Sequence, residues 1–220
     1  MFPPLYAVLD EDLLNMPAVK CAHELASVGV ELIQYRAKHS SSRNYFEVCS
    51  TVAEALASRN IRFMVNDRSD IAAMVGAGGV HVGQDDLSPD AARRICGLGR
   101  WVGVSTHTLE QVRAAAKTSA DYIAVGPIFS TSTKEKPDAI VGTSLIRDAR
   151  KLTSKPIVAI GGITRDRAAE VYEAGADSIA VIRDLLEADD PATRAAEFLA
   201  IATRSRSQND SQRSSRTEAR

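Results

Sequence analysis

The stretch "PIVAIGGITRDRAAEVYEAGADSIAVI", Pro156–Ile182, holds two strand-like runs with a helix-like segment between them. "PIVAI" and "SIAVI" are rich in Val and Ile, and both faces of an extended chain would be apolar. That is the composition of strands covered on both sides. Thr164 opens the helical pattern "TRDRAAEVYEAG" and Gly175 stops it. Gly161 and Gly162 stand between the first strand and the helix, where backbone N–H groups can approach an anion with no side chain in the way.

The same alternation runs through the chain. Strand runs read at "LYAVL" (5–9), "VELIQYR" (30–36), "RFMVN" (62–66), "GVHVG" (79–83), "WVGVS" (101–105), "YIAVG" (122–126), 156–160 and 178–182. Helix signals lie between them. Gly29 closes the first helix, and Ser88 with Pro89 supplies an N-cap and a first helical residue. Thr108 with Gln111 forms a capping box. Eight strands, each followed by a helical segment, predict a single α/β (β/α)8 TIM barrel. The competing open, doubly wound sheet alternates in the same way, but no GxGxxG follows the first strand. Residues 1–202 are assigned to the barrel as a catalytic domain. Residues 203–220 carry five arginines against Asp210 and Glu218, with almost no apolar residues, and are expected to be a disordered tail.

Bulk properties narrow the function. The 220 residues suit one domain on a prior of roughly 150 residues each, and 45% hydrophobic with 25% charged residues is ordinary for a soluble protein. A net charge of −1 offers no basic field for nucleic acid. Cys21, Cys49 and Cys96 are odd in number and widely spaced, so they read as reduced thiols in a cytoplasmic protein. The N-terminus lacks a basic region and a long apolar run, and no stretch nears the ~18 apolar residues of a membrane span.

In such a barrel the active site lies at the C-terminal strand ends. Gln34, Arg36 and Lys38 share one face of "QYRAK" by period 2, while Ile33, Tyr35 and Ala37 take the other. An amide and two cations in line suit phosphoryl oxygens. Asn66 and Asp67 end the third strand, and Asp85 and Asp86 follow the fourth; carboxylates from two adjacent strand ends suit a hard cation. His81, inside a strand run, reads as a satisfied core histidine. Ser105 and His107 could form a nucleophile pair, but Thr108 already explains that segment as a helix start. After the sixth strand, Thr131 and Thr133 alternate beside Lys134. Ile182 and Arg183 end the eighth. Loops after strands seven and eight are the usual phosphate site of these barrels.

Taken in order over about residues 5–186, these positions resemble the thiamine phosphate synthase family. The motifs are Gln34-Arg36-Lys38, Asn66-Asp67, His81-Gly83-Gln84-Asp86, Gly103-Ser105-His107, Gly126-Pro127-Thr131-Thr133-Lys134 and Gly161-Gly162-Ile163. The resemblance implies a transferase that joins hydroxymethylpyrimidine diphosphate to (carboxy)hydroxyethylthiazole phosphate, giving thiamine phosphate and pyrophosphate. It implies Mg2+ on Asp67 and Asp86. Gln34, Arg36, Lys38, Asn66 and Lys134 would bind the pyrimidine substrate, with Tyr35 and Ala37 of the same run included, and Ser105 would touch its ring. Thr131, Ser132, Thr133, Gly162, Ile182 and Arg183 would hold the thiazole phosphate. Arg36, Lys38, Ser105 and Lys134 are the expected catalytic residues. The chain departs from the pattern at Arg183, where the family commonly has a small residue, often Ser. The implied partners are two phosphorylated small molecules, with no nucleic acid or membrane, and a homo-oligomer is compatible with the reading. A thiazole tautomerase or a regulatory thiazole-phosphate-binding barrel is the alternative.

Overall fold

The structure, a computed structural model, describes residues 1–131 and 139–218, with side chains as far as Ser207. The first half contains β1 (Leu5–Asp10), α1 (Ala18–Ser27), β2 (Leu32–Arg36), α2 (Ser42–Leu56), β3 (Arg62–Asn66), α3 (Ser69–Met74), β4 (Gly79–Val82) and α4 (Pro89–Cys96). The second half contains β5 (Trp101–Thr106), α5 (Leu109–Ala115), β6 (Tyr122–Val125), α6 (Gly142–Leu152), β7 (Ile157–Ile160), α7 (Ala168–Glu173), β8 (Ser178–Val181), α8 (Arg183–Leu186) and α9 (Pro191–Glu218). The strands pair in parallel in chain order, and β8 returns to β1 with Leu5 opposite Ile179. The expected (β/α)8 barrel is therefore closed, and the open sheet is excluded.

Observed strand ends lie within two residues of the expected ones. The second strand begins at Leu32 rather than Val30 because the Val30 N–H is used to cap α1, bonding the Leu25 carbonyl at 3.2 Å. Predicted helix starts hold at α4 and α5. The Ser88 hydroxyl accepts from Ala91 N–H and the Thr108 hydroxyl from Gln111 N–H. The Gln111 side chain in turn accepts the N–H of His107, one residue before the cap, at 2.6 Å, so the return bond of the expected capping box is shifted by one residue.

Side-chain alternation sorts the core into two layers. Leu5, Ala7, Leu9, Ile33 and Tyr35 face outward into the shell between barrel and helices. Tyr6, Val8, Leu32, Met64, Tyr122 and Val158 fill the barrel interior. Tyr122 fits there because residue 103 on the neighbouring strand is glycine; a Cβ at Gly103 would overlap its ring. Among the described residues no helix is long and apolar enough to cross a membrane.

Residues 203–207, expected to begin the tail, belong instead to α9 (Pro191–Glu218). Ala195, Phe198, Ala202 and Ser205 recur at helical spacing and are buried, so the packed stripe passes residue 203. Arg206 then reaches beneath the barrel and donates to the carbonyls of Asp177 (2.7 Å) and Phe2 (3.1 Å). Composition alone missed this, because one arginine can tie a polar helix end to backbone oxygens. Arg206→Ala is expected to cost about 1–2 kcal/mol. A thermal melt should show a Tm roughly 3–6 °C lower, with kinetics unchanged because the contact lies at the end opposite the strand C-termini.

Candidate active site

A cavity of about 930 Å3 opens at the C-terminal strand ends. One wall is cationic. Arg36 ends β2 and is paired with Asp10, which lies opposite it in the β1–β2 register and is 2% exposed. Lys38 reaches the Asp67 carboxylate at 2.5 Å. Asp10 was not anticipated as a site residue. Its signal was present, a lone carboxylate at the end of an apolar strand, but its partner depends on register. The ends of β2 and β3 are tied together by Tyr45 of α2. Its hydroxyl lies 3.0 and 2.9 Å from the Tyr35 and Asn66 carbonyls and accepts the Asn66 N–H at 3.0 Å.

Asp67 sits in the left-handed region with φ 61°, a conformation that Asp tolerates better than most residues. Its N–H is bonded to the His81 carbonyl at 2.7 Å, which holds the turn. Burial pushes its carboxyl above the ordinary range. Lys38 opposes that shift, and the Asp86 carboxyl in hydrogen-bond contact adds to it. Asp86 is itself oriented by the Gly83 N–H at 2.7 Å. Two carboxylates thus meet at the mouth as the sequence suggested, and a cation between them would relieve their repulsion. Among the described residues no cluster of three or more His, Cys, Asp or Glu side chains suits a metal. A metal on this pair would therefore take its other oxygens from substrate or water.

The opposite wall carries the glycine turn and the start of α8. Gly161 and Gly162 have φ 100° and 61°. The loop after β6 lies directly on them, with Ile128 N–H on the Ile160 carbonyl (2.9 Å) and Phe129 N–H on the Gly161 carbonyl (3.0 Å). Thr131, Ile182 and Arg183 also line the cavity. The Arg183 guanidinium is paired with Glu187, while its Nε is buried without a hydrogen-bond partner. Arg167 lines the same wall, stacked 4.7 Å over the Phe129 ring. It was missed because "TRDR" reads simply as a polar helix start.

The barrel floor is polar. His81 bonds Tyr122 through Nδ1 (2.9 Å) and Ser105 through Nε2 (2.8 Å). It is buried and satisfied, as expected of a core histidine, yet it lines the cavity. Ser105 is therefore paired with His81 and not with His107, whose Nδ1 is on the Gly126 carbonyl at 2.6 Å. Burial lowers the His81 pKa to about 4. Neutral His81 stabilises the fold fully above its unfolded pKa of ~6.5. That contribution fades as pH falls toward 4, because the unfolded chain then binds the extra proton. Urea midpoints should accordingly drop between pH 6.5 and 4 in the native protein, and drop less steeply in His81→Gln.

Gln34, Arg36, Lys38, Asn66, Asp67, Asp86, Ser105, Thr131, Gly162, Ile182 and Arg183 all line this one cavity. Two expected contacts need correction. The Tyr35 side chain points into the outer core, with its hydroxyl on Glu11 at 2.9 Å, and Ala37 packs against that same core. Neighbours of inward residues on a strand must face outward. Ser132, Thr133 and Lys134 lie outside the described residues.

Comparison with known proteins accords with this geometry. The family model described as thiamine monophosphate synthase matches residues 5–185. The chain belongs to that family. A thiamine-phosphate synthase of Koribacter versatilis is 48% identical over 204 residues, which span 90% of this chain and 95% of the relative. One of Chloroflexus aurantiacus is 41% identical over 200 residues, 90% and 92% of the two chains. A solved thiamine phosphate pyrophosphorylase of Pyrococcus furiosus superposes with a TM-score of 0.83 at 31% identity, covering 92% of this chain and 96% of the other. This member of the thiamine monophosphate synthase family is an enzyme, a transferase of thiamine biosynthesis that takes phosphorylated small molecules. In this member the cationic wall, the carboxylate pair and the glycine turn face one another across a single mouth.

Proposed function

We propose that the transferase joins hydroxymethylpyrimidine diphosphate to hydroxyethylthiazole phosphate or its carboxylated form, releasing pyrophosphate, with Mg2+ between Asp67 and Asp86. The observation that carries the reading is the meeting of Arg36, Lys38, Asp67 and Asp86 at one rim of the cavity. A tautomerase or a passive thiazole-phosphate binder has no need of paired carboxylates beside two cations.

Bound Mg2+ would supply charge neutralisation on the leaving pyrophosphate oxygens. Arg36 and Lys38 donate to the same diphosphate, and such donors count most where negative charge grows. Asp10 keeps Arg36 aimed across the mouth. Gln34 and Ser105 face the aminopyrimidine, which spreads positive charge as the diphosphate departs. Gly162 and the Ile182-Arg183 turn hold the thiazole phosphate so that its ring nitrogen stands ready to attack. Thr133 and Lys134 are proposed to complete the anion clamp, and Ser132 to add to it. No protein nucleophile is required. Three buried, unpaired cysteines support a reducing compartment, the cytoplasm.

The test is one incubation of the purified protein with both substrates and Mg2+, with mass detection of thiamine phosphate. Product that forms equally well in excess chelator would remove the metal assignment. Absence of product in every condition would remove the reaction.

A further inference from the structure

Below the cavity mouth, five side chains from five strands form one unbroken hydrogen-bonded line. Gln34 Nε2 lies 2.5 Å from the Tyr6 hydroxyl, and Tyr6 lies 3.0 Å from the Tyr122 hydroxyl. Tyr122 is 2.9 Å from His81 Nδ1, and His81 Nε2 is 2.8 Å from Ser105 Oγ. Gln34, Tyr6, His81 and Ser105 line the cavity floor, and Tyr122 lies beneath it. The middle of the line is dry: Tyr6 is 2% and Tyr122 0% exposed.

Counting protons limits what such a line can do. Each tyrosine has one O–H, and a neutral imidazole has one N–H and one acceptor nitrogen. Four bonds therefore leave two fully satisfied arrangements. In one, Gln34 donates to Tyr6, Tyr6 to Tyr122, Tyr122 to His81 Nδ1, and His81 Nε2–H to Ser105. The Ser105 O–H is then free to donate into the cavity, and Gln34 offers its carbonyl oxygen. In the other, every bond is reversed and the Gln34 amide is turned over. Ser105 then offers only lone pairs to the cavity, and Gln34 offers N–H. Any mixed arrangement strands a buried proton or lone pair.

We propose that Tyr6, Tyr122 and His81 are positioning residues that couple the amide orientation of Gln34 to the hydrogen-bonding character of Ser105: when Gln34 turns its carbonyl oxygen to the cavity Ser105 can donate there, and when Gln34 turns its amino group there Ser105 can only accept. This deepens the reading under Proposed function, in which the ligand there is an aminopyrimidine. That ring carries an amino donor and ring-nitrogen acceptors, and either direction of the line can meet one of each. The floor thereby adds hydrogen bonds to the heteroaromatic ring that charge contacts to the diphosphate cannot supply.

The imidazole reports the direction without any ligand. Ionised Glu at position 34 can only accept, so Gln34→Glu, recorded at a pH high enough to keep that buried carboxyl charged, compels the whole line to run toward residue 34. Nitrogen NMR of His81 should then show the Nδ1–H tautomer. Cutting the line in Gln34→Glu/Tyr122→Phe leaves Nδ1 without a partner, and the Nε2–H tautomer, donating to Ser105, should appear. Gln34→Glu/Tyr6→Phe is a second cut should the first fold poorly. An Nε2–H tautomer in Gln34→Glu alone, or a tautomer that ignores both cuts, would overturn the proposal whatever the enzyme's substrate.

A ligand-bound arm tests the deepened reading. In a double-mutant cycle, Gln34→Ala and Ser105→Ala should be coupled by about five-fold or more in affinity for the aminopyrimidine diphosphate, falling to under about two-fold in Tyr122→Phe. Coupling that survives in Tyr122→Phe counts against the line. Failure of the compound to bind at all counts against the substrate reading and leaves the tautomer result to decide the line.

Discussion

Asp67→Asn is expected to lower turnover by about 10²–10³-fold with almost no loss of stability. The backbone reason is local. Asp67 has φ 61°, and Asn is as tolerant of that conformation as Asp, so the turn and its N–H bond to the His81 carbonyl survive. The electrostatic consequence is larger. The substitution removes one of two facing carboxylates and the partner that holds Lys38. Under the proposed mechanism the diphosphate then loses both its metal and the aim of one cation as charge develops on it. Rates measured across a Mg2+ titration should show a weakened and right-shifted response, with the thermal melt close to that of the native protein. A response to Mg2+ identical to the native enzyme's would sink the metal assignment.

Gly162→Ala should act on the other substrate. Residue 162 has φ 61°, which costs an L side chain roughly 1–2 kcal/mol. A Cβ there would also overlap the Ser130 carbonyl, a backbone atom that cannot swing aside. The loop after β6 is bonded to this turn through Ile128 and Phe129, so turn and loop must shift together. Loss of one or two charge-assisted N–H contacts to phosphate predicts a KM for the thiazole phosphate raised about 10–100-fold. Binding of the pyrimidine diphosphate, on the far wall, should change little. Calorimetry with each substrate separately checks the split. Equal weakening of both would mean that the barrel mouth had collapsed, and no weakening would remove the glycine turn from the phosphate site.

Most of the site could be read before any coordinates because strands are periodic. Once "QYRAK" is a strand with Ile33 and Tyr35 facing the helices, Gln34, Arg36 and Lys38 have one direction left. The same rule shows why Tyr35 and Ala37 do not offer side chains to the cavity. Asp67 and Asp86 were legible because each follows the end of a strand, and in a parallel barrel all such ends meet at one face. Low hydrophobicity argued for disorder from residue 203 onward, whereas a buried Ser205 and the Arg206 contacts tie that stretch of the helix to the barrel's underside.

The one-dimensional pattern by itself determined the barrel, its eight strand–helix repeats and the set of polar groups gathered at one rim, since these follow from periodicities of two and 3.6 and from stop signals local to each segment. Only the tertiary structure decided who bonds to whom: Asp10 with Arg36, Asp67 against Asp86, and Tyr6 with Tyr122 across 116 positions of chain. The physical reason is that a hydrogen bond depends on register, on the stagger of barrel closure and on the space left by a residue such as Gly103. Those are properties of neighbours in space, and no local stretch of chain encodes them.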